Sequence, residues 1–189
     1  MTKMALTAVL AALFLIPAAT FGQGHPTKSD MRQKMRELLE KRKPPTEKEV
    51  RAVSPDVDSL LADVVNDRTA DFVTRKRAVE AMGFFQTKRA RQLLRTVITD
   101  PAWQKPYRIV AIKAIARSVG VAALVMVKKH ASDPDPEVRL ACVYALDVMG
   151  STAALTLLRN WQLREKDSGV LRAIDGAIRN LSRDPWEDL

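Results

Sequence analysis

A short cluster that begins with arginine recurs along this chain about every 32 residues. It has the form Arg-x-x-small-x-x-Ala-apolar and starts at Arg75, Arg108 and Arg139, while a fourth copy at Leu171 keeps the apolar spacing without the arginine. Successive copies begin 33, 31 and 32 residues apart. A fixed period of this length predicts a solenoid, in which each unit buries its apolar face against its neighbour.

Each regular unit is expected to hold two helices joined by a turn. Asp or Pro marks the start of the first helix, and Gly or small polar residues mark the turn. No segment alternates apolar and polar residues for long enough to predict a strand, so the sequence predicts an all-α fold. The second helices are expected to bury Ala90, Leu93, Leu94, Val97, Ile98, Ala123, Leu124, Val127, Ala154, Leu155 and Leu158.

Four segments are predicted: a signal peptide over 1–22, a flexible leader with an N-terminal capping helix over 23–53, the repeats over 54–181, and a tail over 182–189. The capping helix is expected to run over residues 31–43 with Asp30 as its N-cap. Thr46 and Glu49 have the spacing of a capping box. Ser54 is predicted to cap the next helix, with Pro55 in its first position. Leu171, which replaces the repeating arginine, predicts a C-terminal capping unit.

The N-terminus has the pattern of a secretory signal peptide. Lys3 provides the positive charge, residues 4–16 are apolar, and Pro17 precedes small residues that favour cleavage after Gly22. A permanent membrane anchor is the alternative, although the apolar run only approaches the length of about 20 residues that spans a bilayer. The sequence therefore predicts an exported protein, either periplasmic or secreted.

Cysteine use indicates the compartment further. Cys142 is the single cysteine, which excludes an intramolecular disulfide. Small extracellular eukaryotic domains usually carry disulfides. A cysteine-poor, exported helical chain is therefore more typical of a bacterial periplasm.

The third unit carries the clearest family pattern. Aspartates precede the helix, Val138-Arg139 follow, small residues stand at Cys142 and Ala145, and Gly150 ends the helix. Here the chain resembles the HEAT repeat family, including its shorter, bilin-lyase-type repeats, and the resemblance extends over about residues 57–181. The resemblance implies a right-handed superhelix of antiparallel helix pairs that binds macromolecules. It does not imply a particular enzymatic reaction.

The recurring arginines are interpreted as structural. An aspartate precedes each of Arg75, Arg108 and Arg139. We expect its carboxylate to pair with an arginine of the same or the adjacent unit and so to fix how the two units stack. Asp133 and Asp135 belong to the same stacking set. Although the Asp133–Glu137 run is acidic, Ca²⁺ needs six to eight oxygens from a loop that can wrap around it. The two prolines and the following helix favour capping instead, so no metal site is predicted.

No catalytic constellation emerges from the sequence. The only histidines are His25 and His130, and Cys142 occupies a position expected to be a buried, inert thiol. No nucleophile–base pair, metal-ligand set or phosphate-binding glycine loop can be assembled from the spacing. We therefore predict a protein that is not an enzyme and has no cofactor.

Uneven charge is the main indication of function. The net charge is +9, and residues 23–132 hold 23 Lys and Arg against 12 Asp and Glu. A solvated helical surface would account for this excess, but it also suits an anionic partner. The partner could be an acidic protein, which we favour, or an anionic envelope polymer or lipid; export disfavours nucleic acid. The residues predicted to bind it lie on the second helices: Lys88, Arg89, Arg91, Arg95, Lys128 and Lys129.

These observations predict an exported, non-catalytic scaffold or adaptor that binds a macromolecule through a basic solenoid surface. Two alternatives stay open at this point. One is a regulatory or accessory subunit of a cell-envelope enzyme, and the other is a small-molecule binder of the bilin-lyase type.

Overall fold

Ten α-helices follow one another between residues 26 and 183, the part of the chain that this computed structural model describes. No strand occurs in that part, which confirms the all-α prediction. The predicted signal peptide and residues 184–189 of the tail lie outside the described residues. The helices are α1 Lys28–Glu40, α2 Glu47–Arg51, α3 Val57–Asn66, α4 Phe72–Ala81, α5 Lys88–Thr99, α6 Lys105–Val119, α7 Leu124–His130, α8 Pro136–Met149, α9 Thr152–Gln162 and α10 Ser168–Ser182.

The first helices of the units, α4, α6, α8 and α10, pack on one another as a continuous layer. The second helices α5, α7 and α9 form the other layer, and each packs against the first helix of the following unit. One apolar core runs through the whole stack, from Met35 in α1 to Ala177 in α10. By contrast, α5 and α7 make few contacts with each other, which leaves a gap between two successive second helices.

Helix caps explain most of the unit boundaries. The side chains of Asp71, Thr87, Asp135 and Ser151 accept hydrogen bonds from backbone N–H groups in the first turns of α4, α5, α8 and α9. Two predicted turn glycines have positive φ, 55° at Gly120 and 60° at Gly150. Only glycine adopts this conformation without a steric penalty, so both turns depend on it.

The N-terminal caps differ from the prediction in two places. Thr27 rather than Asp30 caps α1, because Asp30 is the N3 residue of a Thr27–Asp30 capping box. Ser54 does not cap α3; its hydroxyl accepts a hydrogen bond from the Asp56 N–H, and the helix starts at Val57. The capping box of Thr46 and Glu49 is confirmed. Thr27 thus provides the cap of α1, whereas α3 begins after Asp56 without a side-chain cap hydrogen bond.

Ionic and carbonyl contacts hold α1 against the repeats. Arg32 pairs at 2.6 Å with Asp63 of α3, and Arg36 pairs at 3.1 Å with Asp67, the residue that follows α3. The Arg77 guanidinium of α4 donates to the backbone carbonyls that end α1, namely those of Leu39, Lys41 and Arg42. These carbonyls have no partner within their own helix, so Arg77 satisfies them from the neighbouring unit.

Burial follows the predicted pattern in the second helices with three exceptions. Leu93, Leu124 and Leu155 are only partly buried, whereas the other eight predicted residues are buried. In the fourth unit, Ile174 and Ala177 of α10 are buried and Leu171 is partly buried. Helix α10 continues through Ser182, one residue into the segment predicted as tail.

One helical stretch among the described residues, Lys105–His130, is long and apolar enough to cross a membrane by length and composition. It is divided at Gly120, where a short 3-10 segment separates α6 from α7. The 15 residues of α6 would rise only about 22 Å, against about 30 Å of hydrocarbon. In the fold, Ala111, Ile112 and Ala114 of this stretch are buried in the core.

Candidate interaction groove

A surface groove of about 900 Å³ lies between α5 and α7, where these second helices stand apart. We call it the α5–α7 groove. Its floor is formed by residues of α6 and the turn that follows it. The lining residues are Lys88, Arg91, Gln92, Arg95, Thr96 and Thr99 from α5, Ile115 and Val119 from α6, and Ala122, Ala123, Val125, Met126 and Lys129 from the segment that follows.

The α5 wall of the groove is one complete helix face, and the facing wall combines α7 with the 3-10 segment before it. The α5 residues are spaced i, i+3, i+4, i+7, i+8 and i+11 from Lys88, while the opposite face of α5 buries Ala90, Leu94 and Val97 in the core. The facing wall follows i, i+3, i+4 and i+7 from Ala122. This is the spacing with which helices meet each other.

The two walls differ in chemistry. Lys88, Arg91 and Arg95 place three cations on the α5 wall, whereas the α7 wall presents Val125 and Met126. Val125 is 82% exposed, an unusual value for a valine in a packed unit. No Asp or Glu lines the groove. The result is a basic wall facing a wall that is apolar apart from Lys129, across an apolar floor.

The groove cations have no internal counter-ion. Among the described residues, none of Lys88, Arg91, Arg95 and Lys129 forms an ion pair or donates a side-chain hydrogen bond. Four unpaired cations around a concave surface create a positive potential that attracts anionic groups. Since no ion pair within the described residues engages them, these side chains are available to contact a ligand.

The other two predicted binding residues lie elsewhere. Arg89 points to α3, where its Nη1 is 3.1 Å from Asp56 and 3.4 Å from Asp58. Thr87 also donates to Asp58 at 2.6 Å, so this corner joins two units. Lys128 is exposed but does not line the groove. The structure thus brings four of the six predicted cations together.

Sequence reasoning missed the uncharged residues that line the groove. Gln92, Thr96, Val125 and Met126 were not predicted as surface-site residues, although they complete the helical spacing of the cations. Extending the i, i+3, i+4, i+7 pattern from Lys88 along α5 would have found the first two. Val125 could not be found in this way, because its exposure depends on the distance between α5 and α7.

The repeating arginines make different contacts from those predicted. Arg75 donates through Nε to the Val65 carbonyl at 3.0 Å, and its guanidinium lies 5.3 Å from the ring centroids of both Trp103 and Tyr107. Neither the Asp71 nor the Asp100 carboxylate pairs with it. The Asp71 carboxylate instead accepts from the first N–H groups of α4, because capping occupies its oxygens.

Arg139 pairs with Glu165 rather than with the predicted aspartates. Its Nε and Nη2 each donate to one Glu165 oxygen at 2.9 Å, and its Nη1 donates to the backbone carbonyls of Asp133 and Pro134. Burial raises the pKa of the Glu165 carboxyl, but hydrogen bonds from Arg139 and from backbone N–H groups outweigh it and lower this pKa to about 2. The pair joins α8 to the loop before α10.

Arg108 differs from both. Its Nε is buried and has no hydrogen-bond partner among the described residues, and the same holds for Nε2 of His130 at the end of α7. Burial lowers the pKa of His130, and the positive charge of Arg108 lowers it further, against an opposing effect of Asp133.

The acidic run at the start of α8 already holds a cation. Lys105 Nζ lies 2.8 Å from Asp135 and 2.7 Å from Glu137, which raises the pKa of the Lys105 ammonium. Asp133 and Asp135 also accept backbone N–H groups, from Asp135 and Glu137 respectively. The carboxylate oxygens of this run therefore contact Lys105 or cap the helix. Within residues 26–183, no group of three or more His, Cys, Asp and Glu is suited to a metal.

Cys142 is buried in the core, and burial raises the pKa of its thiol to about 12. A thiol with so high a pKa is protonated at neutral pH and is a poor nucleophile.

Comparison with known proteins supports the repeat assignment. Residues 103–179, which comprise α6 to most of α10, match the HEAT repeats family. No curated protein matches the chain. The match spans two of the three Arg-containing clusters and the fourth, arginine-free copy, and the helix pairs seen in the fold agree with it. The match supports assigning this part of the chain to the HEAT-repeat family, and the described helices form an all-α solenoid.

Proposed function

We propose that this protein is an exported, non-catalytic adaptor that binds an acidic protein partner in the α5–α7 groove. The observation that carries the proposal is the set of four unpaired cations, Lys88, Arg91, Arg95 and Lys129, around an exposed apolar surface. HEAT repeats are generally protein-interaction scaffolds, and their family is typically non-catalytic. The fold and the groove chemistry both support this class of function.

A protein partner suits the groove better than a free anion does. A small anion would leave Val125 and the apolar wall exposed to water, whereas a protein surface would cover both walls. Cations at the rim accelerate association and select acidic partners, while apolar contacts at the centre contribute most of the affinity. The groove offers the two together.

Export rests on the N-terminal sequence, in which Lys3 is followed by the apolar run 4–16 and by small residues up to Gly22. Mass spectrometry of the mature protein after cell fractionation tests this part. We expect a new N-terminus near residue 23 and recovery from the periplasm or medium. Recovery of the intact N-terminus in the cytoplasm would contradict it.

Charge reversal tests the binding surface. Lys88, Arg91, Arg95 and Lys129 are replaced together by Glu, and the protein is crosslinked in the cells that produce it. The control reverses two cations outside the groove, Arg172 and Arg179, which are exposed on α10 and form no ion pair within residues 26–183. We expect the crosslinked partner to be lost from the groove variant and retained by the control. Equal recovery from both variants would exclude the groove as the binding surface.

The same experiment separates a scaffold from an accessory subunit of an envelope enzyme, because mass spectrometry identifies the recovered protein. Raising the salt concentration before crosslinking should reduce recovery from the wild type, since exposed charges are screened over about 8 Å at physiological ionic strength.

A further inference from the structure

The geometry points to a specific docking element: an amphipathic α-helix of the partner, lying between α5 and α7 with acidic side chains toward α5 and apolar side chains toward α7. This inference rests on the proposed function, because it names the part of the protein partner that enters the groove. It goes further by fixing the secondary structure of that part and the arrangement of its side chains.

The shape of the walls argues for a helix. Both walls present residues spaced i, i+3, i+4 and i+7 toward an unfilled space, which is how a helix contacts a neighbouring helix. Helix α5 already uses its other face, with Leu94 and Ile98, against the core. A third helix between α5 and α7 would complete the layer.

The length of the groove sets the size of that helix. The lining extends from Lys88 to Thr99, the first and last residues of α5, which corresponds to about 16 Å along a helix axis. A partner helix of about eleven residues, or three turns, covers this distance.

The charge distribution sets its sequence pattern. The cations Lys88, Arg91 and Arg95 form one stripe along α5, while Val125 and Met126 face them from α7. A helix can present an acidic stripe and an apolar stripe on adjacent faces, as these two walls require. A strand directs alternate side chains to opposite sides, so its second face would point away from the groove. Helix-in-groove docking of this kind uses anchors at i, i+3, i+4 and i+7.

Site-specific photo-crosslinking tests the inference. A photoreactive amino acid replaces Gln92 on the basic wall or Val125 on the apolar wall, in the full-length protein within its own cells. Leu163, which is 87% exposed, is the matched control position. Peptide mass spectrometry then locates the crosslinked residues in the partner.

We expect both groove positions to crosslink to one segment of about eleven residues. The residues that crosslink to position 92 should lie on the face of the segment that carries Asp or Glu at helical spacing. Those that crosslink to position 125 should lie on an apolar face of the same segment. Crosslinks to a protein segment without this helical pattern would overturn the inference and leave the proposed function standing. Adducts with lipid or polysaccharide, or yields no higher than at Leu163, would overturn both.

A second measurement separates the two walls. Val125→Asp should reduce crosslinking from Gln92 at least tenfold, because a carboxylate would face the apolar side of the partner helix, while Leu163→Asp should change it less than twofold. Unchanged crosslinking in Val125→Asp would also overturn the inference, because the apolar wall would then take no part in docking.

Discussion

Arg139 and Glu165 form a two-point ion pair in which the guanidinium Nε and Nη2 each meet one carboxylate oxygen at 2.9 Å. The side chains are only 16% and 4% exposed, and Trp161 donates a further hydrogen bond to the same carboxylate at 3.0 Å. Backbone N–H groups of Lys166 and Asp167 complete the shell around Glu165. The loop between α9 and α10 is thereby anchored to α8.

Removing one partner of this pair should destabilise the fold strongly. Arg139→Ala leaves the Glu165 carboxylate buried without its cation, and breaking a buried pair in this way costs about 3–5 kcal/mol. Urea unfolding followed by circular dichroism measures the loss. The double variant Arg139→Met with Glu165→Leu should recover part of it, because no unpaired charge remains. Equal stability of Arg139→Ala and wild type would show that the pair contributes nothing.

The pair should also make stability depend on acid. The pKa of Glu165 is lowered to about 2 in the fold from an ordinary value of 4.5, so the folded carboxyl binds its proton at lower pH than the unfolded one. Its contribution is complete above about pH 4.5 and is lost as the pH falls toward about 2. In Glu165→Gln, the free energy of unfolding should fall less across this window than in wild type. Parallel pH profiles would contradict the assignment.

Gly83 should tolerate no side chain. A Cβ there would lie 2.9 Å from both Cα and the carbonyl oxygen of Ala114, on the backbone of α6. Because backbone cannot move aside as a flexible side chain does, Gly83→Ala should cost about 1–3 kcal/mol. Gly176→Ala is the matched control within α10, where only the Arg179 side-chain end lies within 4 Å; it should stabilise by about 0.5–1 kcal/mol. Thermal unfolding measures the change in stability of both variants. Equal changes in the two would contradict the close approach of Gly83 to the backbone of α6.

Arg75 should be sensitive even to a conservative change. Its guanidinium lies near the rings of Trp103 and Tyr107 and donates to the Val65 carbonyl, so it links three segments. Lysine keeps the charge but loses the planar stacking surface, and Arg75→Lys should lower the free energy of unfolding by about 1–2 kcal/mol. Lys76→Arg, beside it on α4, should change stability by less than about 0.5 kcal/mol. A similar effect of the two would show that only charge matters at Arg75.

The sequence predicted the repeat, its two-helix units and most of the core, because these depend on local spacing. It predicted less well which atoms meet. Arg139 was expected to pair with a preceding aspartate, but Asp133 and Asp135 accept backbone N–H groups and Glu165 approaches from the next loop. The nearby aspartates are used as helix caps. The spacing within one unit does not indicate which carboxylate of another unit will pair with its arginine.

The candidate groove shows the same limit. Arg89 and Arg91 are equivalent by composition, yet the first is paired with Asp56 and Asp58 and the second is unpaired at the groove. The helical phase of α5 separates them, and that phase follows from the buried positions Ala90 and Leu94. The separation of α5 from α7, which exposes Val125, depends on packing between units.

The most direct test of the account is the affinity of the crosslinked partner, once purified, for variants of the groove. Isothermal titration calorimetry is carried out with wild type, with Arg91→Glu and Arg95→Glu combined, and with the control that reverses Arg172 and Arg179. We expect the groove variant to bind at least tenfold more weakly, which corresponds to about 1.4 kcal/mol, and the control to bind as wild type does. Affinity of the groove variant within twofold of wild type would contradict the claim that the partner docks between α5 and α7.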